Sequence, residues 1–339
     1  MARKPRIDPV RWQPPPVDPL PAMPTATVTV VPLPGIGPED VVVDGAGQVW
    51  TGLEDGRILR IAPDSGQPTV VADTGGRPLG LHVARDGRVL VCDSYRGLLA
   101  LDPASGTLDV LAESVDGRRL KFCSNVTETA DGTIYFTEST ADYHFEHYTA
   151  PIVEARGTGG LFRLNTNGTI TTLVDGLYFA NGVTPTSDGS ALVFAETQAR
   201  RLSKYWLTGP RAGSVTPLAV HLPGMPDNLS TGADGRIWTA LVTEMNPALE
   251  SLFPRAPLIR KVVWRLPERL QPQIKPEIWA VAFDPDSGAA VAGLRTEHPD
   301  FGSVTGVVEA ADKLWMGTIG FTTVAHVDLA ATQLSTTKL

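Results

Sequence analysis

Four polar side chains stand at matching places in the sequence and have the chemistry of a metal site. Each opens a short apolar run, seven or eight positions before the glycine of a turn. They are Glu39, Asn125, Asn181 and Asp227. Two carboxylates and two amide carbonyls supply hard oxygen ligands with a net charge of about −2, a set that suits Ca²⁺ and, less specifically, Mg²⁺ or Mn²⁺. The sequence therefore predicts a divalent-cation site, provided that the fold brings these residues together.

The element that carries each of these residues has the pattern of a β-hairpin. In residues 177–197, two apolar runs flank the turn Ser187-Asp188-Gly189, and an Asp-Gly turn between two strand-length runs is typical of a hairpin. Related turns follow Asp44, Asp86, Asp131 and Asp234 and, in degenerate form, Asp312. Most copies continue into a third and a fourth run, so a unit of about 40–50 residues holds four short strands, as in a β-propeller blade.

The copies predict an all-β fold, a six-bladed β-propeller that spans residues 28–339 as one domain around a central channel. The residues that open the innermost strands should then ring one mouth of the channel: Glu39, Leu79 or Gly80, Asn125, Asn181, Asp227 and about Thr305. Residues 1–27 are rich in proline and should form an extended arm over the propeller's side. A strand near residues 27–31 should complete the last blade and close the ring.

Two units are longer than the basic period and predict insertions over the channel mouth. Residues 138–156 follow an inner hairpin, and residues 244–253 and 258–266 have the pattern of two short helices. Such insertions often cap a mouth and shape a ligand pocket. His144 and His147 on the first insertion, and His82 on the second blade's inner strand, are candidate substrate-binding residues; a structural role is the alternative for each.

Composition limits the partners and the compartment. A formal charge of −8 and a pI near 5.3 argue against a nucleic-acid-binding surface. No apolar run reaches the ~18 residues of a membrane span, and no secretory signal is evident. We expect a cytoplasmic protein that acts on a small molecule, without a nucleic-acid or membrane partner; the oligomeric state stays open. Cys92 and Cys123 are expected to be buried free thiols, with a disulfide between neighbouring blades as the alternative.

Several segments resemble the strictosidine-synthase-like group of the gluconolactonase, senescence-marker-protein and paraoxonase superfamily of six-bladed propellers. They include Pro38-Glu39-Asp40 and residues 120–125, 179–183 and 222–228, and the resemblance covers roughly residues 35–330. In the metal-dependent hydrolases of that superfamily, residues matching Glu39, Asn125, Asn181 and Asp227 bind a catalytic Ca²⁺ or another divalent ion. The plant Pictet–Spengler enzymes of the group work without the ion and use a glutamate late in the chain, in the region where Glu309 lies.

These observations favour a divalent-metal-dependent hydrolase of lactones or related esters, with Ca²⁺ as the expected ion. The ion would polarise the carbonyl oxygen and lower the pKa of a bound water. Asp227 is then the candidate nucleophile or base, with Glu39 as the other catalytic carboxylate. The alternatives are a metal-free Pictet–Spengler condensation with Glu309 as base, and a non-catalytic ligand-binding propeller. Serine-hydrolase, zincin and nucleotide-binding motifs are missing from the sequence, so those classes lack support.

Overall fold

The computed structural model describes residues 4–63, 65–255, 257–267 and 275–334 and confirms the six-bladed β-propeller. The innermost strand of each blade opens a four-stranded antiparallel sheet. The strands of the first half are β1 (Thr29–Pro32), β2 (Val41–Val43), β3 (Val49–Gly52), β4 (Arg57–Ile61), β5 (Pro68–Asp73), β6 (Pro78–Val83), β7 (Val89–Asp93), β8 (Gly97–Leu101), β9 (Leu108–Ala112), β10 (Ser114–Val115), β11 (Arg118–Arg119), β12 (Cys123–Glu128) and β13 (Ile134–Glu138). Those of the second half are β14 (Gly159–Leu164), β15 (Ile170–Leu177), β16 (Ala180–Pro185), β17 (Ala191–Glu196), β18 (Arg201–Trp206), β19 (Val215–Ala219), β20 (Gly224–Thr231), β21 (Ile237–Glu244), β22 (Ile278–Phe283), β23 (Ala290–Thr296), β24 (Val304–Ala310), β25 (Lys313–Thr318) and β26 (Thr323–Asp328).

Consecutive strands build the blades. Blades 1 to 5 are β2–β5, β6–β9, β12–β15, β16–β19 and β20–β23, and β10 and β11 form a separate ribbon. Blade 6 has the order β1-β26-β25-β24, so the N-terminal strand completes the last blade as predicted. The pairing of β1 with β26 sets Val30 opposite Ala325 and closes the ring with backbone hydrogen bonds, which leaves fewer open sheet edges.

The hydrophobic core is divided among the interfaces between neighbouring blades. Between blades 5 and 6, for example, Trp238, Ile278, Val307 and Met316 are fully or almost fully buried in one cluster. Strands of this kind are buried on both faces, which explains the continuous apolar runs in β7, β8, β17 and β22. Because each blade packs on two neighbours, the positions of the innermost strands around the channel are tightly fixed.

Short helices from the two insertions form a cap over one mouth of the channel. The helices are α1 (Thr149–Glu154), α2 (Pro247–Glu250) and α3 (Pro257–Arg265), and a turn of 3-10 helix covers Phe145–His147. Further 3-10 turns cover Gly209–Arg211 and Leu329–Thr332. In the part of the chain that the structure describes, no helix has the length and apolar character that crossing a membrane requires.

The N-terminal arm crosses this cap and then continues to Asp18, whose amide donates to the carbonyl of His221 at 2.8 Å, and to Pro24, whose carbonyl accepts from Arg295 of blade 5 at 3.1 Å. The amide of Val10 donates to the carbonyl of Glu154 at 3.0 Å, and that of Trp12 donates to Phe253 at 3.2 Å. Arg260, which is 0% exposed, donates to the carbonyls of Val10, Val153 at 2.7 Å and Glu154 at 3.1 Å. The arm and this guanidinium therefore join α1, α3 and the segment between α2 and α3.

Candidate metal centre

A cavity of about 150 Å³ lies beneath the cap, at the mouth of the channel. Its polar floor consists of side chains from the innermost strands or the residues before them: Glu39, Ser124, Asn181 and Asp227. Its apolar walls include Phe122 and Phe179 from the loops before the inner strands, Phe145, Tyr148 and Ile152 from the first insertion, and Met245 and Leu249 from the second. Residues of both insertions thus line the cavity, as the sequence predicted.

The polar residues of the floor and those behind it form two layers. Glu39, Ser124 and Asp227 from blades 1, 3 and 5 line the cavity. The residues that follow them, Asp40, Asn125 and Asn228, are 5%, 3% and 1% exposed and lie outside the cavity wall. The predicted ring therefore holds Ser124 where Asn125 was expected. The spacing already carried this signal, since Ser124, like Glu39 and Asp227, stands eight positions before its turn glycine and Asn125 stands seven.

Irregular pairing at the start of the inner strands explains how consecutive residues both reach the channel. The register shifts between Cys123 and Val126 in β12 and between Pro226 and Leu229 in β20, and β6, β16 and β24 have shifts at the corresponding places. A bulge of this kind interrupts the strict alternation of side chains and redirects them. Regular strands would have turned one residue of each pair away from the axis.

Glycines in blades 2, 4 and 6 let the neighbouring strands approach. A Cβ on Gly80 would lie 2.5 Å from the Cα of Asn125, and one on Gly306 would lie 2.5 Å from Oδ1 of Asp40. A Cβ on Gly182 would collide with the backbone of Asn228 and Leu229. Each glycine thus makes room for the buried polar residue of the next blade.

Asn228 connects the two layers and was not singled out by sequence reasoning. Its Nδ2 donates to Oε1 and Oε2 of Glu39, both at 3.3 Å, and its Oδ1 accepts from Nδ2 of Asn125 at 3.0 Å. Oδ1 of Asn125 accepts from the amide of Val183 at 3.1 Å. The only signal in the sequence was adjacency to Asp227, and strand alternation argued against it.

Asp227 is the side chain of the floor that lacks a full set of partners. Its Oδ1 is buried and has no hydrogen-bond partner among the described residues. Nearby, Asn181 accepts from the hydroxyl of Ser124 at 3.3 Å and donates to that of Thr197 at 3.1 Å. An unpartnered buried carboxylate oxygen is costly, so such an atom in a folded protein calls for a ligand.

The site concentrates negative charge that the protein balances only in part. Burial raises the pKa of Glu39, while the charge of Arg77 and the hydrogen bond from Asn228 oppose that rise. Burial and then the charge of Glu39 raise the pKa values of Asp40 and Asp227. Arg77, 1% exposed, donates to the carbonyl of Gly37 at 2.8 Å and is the cation that acts on Glu39. Among the described residues, one guanidinium acts beside three carboxyl groups, which leaves the site short of positive charge.

These features fit a hard divalent cation. The available donors are oxygens of Glu39, Asp227 and Asn181, with the amides of Asn125 and Asn228 behind them, and a cation would satisfy the unpartnered oxygen of Asp227. Within residues 4–63, 65–255, 257–267 and 275–334, no group of three or more His, Cys, Asp or Glu side chains is placed to hold a metal by itself. The candidate centre therefore depends on amide oxygens as well as carboxylates.

Glu309 lies away from the cavity. Its Oε2 accepts from the indole nitrogen of Trp238 at 2.9 Å, and its Oε1 accepts from the amide of Ala233 at 3.3 Å. Asp227 lies near the start of β20, and Ala233 follows the end of that strand. Six strand residues span about 20 Å, so Glu309 contacts a point about that far along the chain from Asp227. This position does not support a catalytic role for Glu309, nor the condensation mechanism that required it as base.

The three candidate histidines do not line the cavity either. Nδ1 of His144 lies 2.7 Å from the carbonyl of Lys121, and the ring stacks on Tyr95 with centroids 5.0 Å apart. His147 packs edge-on against Trp264. His82 is partly buried in β6, where burial lowers its pKa to about 4. The first insertion turns Phe145 and Tyr148 into the cavity instead, because aromatic residues there pack on Phe122 and on each other.

Comparison with known proteins identifies relatives. The sequence model of the strictosidine synthase family matches residues 124–210, and that of the strictosidine synthase-like N-terminal region matches residues 26–61. The chain is 31% identical over 322 residues to strictosidine synthase-like protein 13 of Arabidopsis thaliana, covering 85% of this chain and 77% of that protein. It is 36% identical over 231 residues to strictosidine synthase-like protein 6 of the same plant, covering 66% of this chain and 61% of that protein.

Solved structures share the fold at low sequence identity. A gluconolactonase from Xanthomonas campestris superposes with a TM-score of 0.66 at 16% identity, over 94% of this chain and 99% of that one. The calcium-binding protein regucalcin from Agrobacterium tumefaciens superposes with a TM-score of 0.63 at 16% identity, over 89% and 94%. At this identity the likeness shows the propeller fold alone.

Proposed function

The chain belongs to the strictosidine synthase-like family, and from this starting point we propose that it is a Ca²⁺-dependent hydrolase of lactones or related esters. The observation that carries the proposal is the buried oxygen of Asp227, which has no hydrogen-bond partner within the described part of the chain and lies with Glu39 on the floor of a cavity large enough to admit a ligand. The names of the gluconolactonase and regucalcin neighbours add support for lactone chemistry and for a divalent ion.

The chemistry divides between the ion and the side chains around it. A bound Ca²⁺ would supply a Lewis acid for the carbonyl oxygen of the substrate and lower the pKa of a coordinated water. Glu39, Asp227 and Asn181 would hold the ion, and Asn228 keeps Glu39 in place through its two donated hydrogen bonds. The Asp227 carboxylate would bind the ion through one oxygen and, through the other, act on the carbonyl carbon as nucleophile or remove the proton from the attacking water.

The walls of the cavity set the kind of substrate. Phe122, Phe145, Tyr148 and Phe179 provide aromatic surface, with Met245 and Leu249 opposite the floor. Hydroxyl groups of a sugar lactone that faced these apolar side chains would lose water without gaining hydrogen-bond partners from them. The cavity therefore favours a lactone or ester with an apolar body, whose carbonyl reaches the polar floor while the walls exclude bulk water.

The test compares metal-stripped and calcium-loaded protein on substrates of different polarity. Protein treated with EDTA and desalted would be titrated with Ca²⁺, while hydrolysis of δ-valerolactone, phenyl acetate and glucono-1,5-lactone is followed by acid release at constant pH. We expect turnover to require Ca²⁺ and to favour the apolar substrates. Asp286→Asn, a change at a carboxylate that is 96% exposed, is the matched control and should leave turnover unchanged.

Two outcomes would contradict the proposal in different ways. Calcium that raises the melting temperature without any turnover would indicate a ligand-binding propeller with a structural ion. Turnover that survives complete removal of divalent ions, confirmed by elemental analysis, would remove the ion from the reaction.

A further inference from the structure

Two cysteines meet in the apolar core between blades 2 and 3. Cys92 on β7 and Cys123 on β12 are both 0% exposed, and their sulfur atoms lie 3.1 Å apart. Both are free thiols in the structure. A disulfide bond measures about 2.05 Å, so the sulfurs would have to approach by about 1 Å to form one.

We propose that Cys92 and Cys123 form a reversible disulfide, an oxidative modification site that joins blade 2 to blade 3. The surroundings suit this product, because Leu90, Leu98 and Val126 of the same cluster are apolar and fully or almost fully buried. A disulfide has no polar hydrogen to satisfy there. The bond would link residues 31 positions apart in sequence, on neighbouring sheets whose described strands share no backbone ladder.

The backbone can supply the small movement at one of the two strands. Cys92 pairs with Leu98 within the regular part of the hairpin β7–β8. Cys123 is the first residue of β12 and stands immediately before the register shift that extends to Val126. An irregular strand start adjusts at lower cost than a regular ladder, so Cys123 is the partner that moves. Ser124 and Asn125 of the candidate metal centre follow directly, which places the modification beside that centre.

The reaction balances with a peroxide as oxidant. One thiol, as thiolate, attacks an oxygen of hydrogen peroxide and becomes a sulfenic acid, while the O–O bond breaks and the second oxygen leaves as water. The other sulfur then attacks the sulfenic sulfur, the S–O bond breaks, and a second water leaves. Two thiols lose two hydrogens and two electrons, which the peroxide takes up. Burial raises the pKa of Cys123, so the thiolate is scarce and the reaction should be slow.

The experiment exposes folded protein to hydrogen peroxide and counts the remaining thiols. After removal of peroxide with catalase, the protein would be denatured in guanidinium with N-ethylmaleimide, digested, and analysed by mass spectrometry with and without dithiothreitol. We expect the peptides of Cys92 and Cys123 to be joined, unalkylated, and lighter by two hydrogens, and dithiothreitol to restore two alkylated cysteines. Methionine sulfoxide in other peptides will show that the peroxide acted.

Thermal unfolding gives a second readout with a matched control. Closing a loop of this length should raise the melting temperature of the oxidised protein by about 3–5 °C, by restricting the unfolded chain. Cys92→Ala should show no such rise after the same treatment. Any of three results would overturn the proposal: two alkylated cysteines after exhaustive oxidation, a disulfide between two chains, or sulfinic acid on either residue. All three are measured on the unsubstituted protein, so the test does not depend on whether the variant folds.

Discussion

Replacing Asp227 by Asn should make the metal-free protein more stable and the calcium-loaded protein inactive. In the metal-free fold Asp227 is buried, its Oδ1 has no partner among the described residues, and the charge of Glu39 adds to the rise of its pKa. Asn has nearly the same shape and no charge to bury. The substitution thus removes a carboxyl group that destabilises the metal-free protein. The same group is the one that the proposed reaction requires.

The size of the stabilisation follows from proton linkage. A carboxyl group with a raised folded pKa keeps its proton where the unfolded chain releases it, so its presence costs more as pH rises from its ordinary value of 3.8 towards the folded pKa. At pH 7.5 the cost is at most about 5 kcal/mol, and at pH 5 less than about 2 kcal/mol. For a chain of 339 residues, 5 kcal/mol corresponds to a rise in melting temperature of about 7 °C.

Differential scanning fluorimetry in EDTA at several pH values, followed by calcium titration, tests this reasoning. The melting temperature of Asp227→Asn should exceed that of the unsubstituted protein by a margin that grows from pH 5 to pH 7.5. Losing one ligand charge should weaken calcium binding by about 10–100-fold while leaving the site saturable. Turnover should stay absent at saturation. A metal-free variant less stable than the parent would show that Asp227 has a stabilising partner, and full recovery of turnover with calcium would limit Asp227 to ligation.

Three further changes test the site, the cap and the pH response. Asn181→Ala removes an amide oxygen from the floor and should weaken both calcium stabilisation and turnover; an unchanged calcium midpoint would take Asn181 out of the ligand set. Arg260→Met should cost about 1–3 kcal/mol in urea unfolding and speed proteolysis of the N-terminal arm, because the carbonyls of Val10 and Val153 lose a charged donor; wild-type stability would refute the role given to this guanidinium. Burial lowers the pKa of His82 to about 4 in the folded protein, whereas the unfolded chain binds this proton below about pH 6.5. The free energy of unfolding should therefore fall by about 3 kcal/mol between pH 6.5 and pH 4. His82→Asn should remove that part of the decline, and equal pH slopes for the two proteins would contradict the burial of the ring.

The sequence by itself determined the blade count, the ring closure and the cap. Asp-Gly turns and apolar runs are local signals, since a turn needs particular backbone angles and a buried strand needs apolar side chains on both faces. The pairing of β1 with β26 and the helices α2 and α3 followed from the same kind of pattern. The polar residues Glu39, Asn181 and Asp227 were found because each opens an inner strand, and the fold brings equivalent strand starts to one mouth.

Only the tertiary structure decided which neighbouring residue reaches the cavity. Bulges at the strand starts interrupt the alternation of side chains, so that Asp227 lines the cavity while the next residue, Asn228, donates to Glu39 of blade 1. The same packing set Ser124 in the cavity wall, with Asn125 behind it. Glu309 matched the expected chemistry in type but not in place, because it lies near the end of β24, away from the strand starts. His144 and His147 lie on the first insertion, where Phe145 and Tyr148 line the cavity instead. The pattern of apolar residues in the sequence indicates where each strand lies, whereas the contacts between blades determine the direction of each side chain.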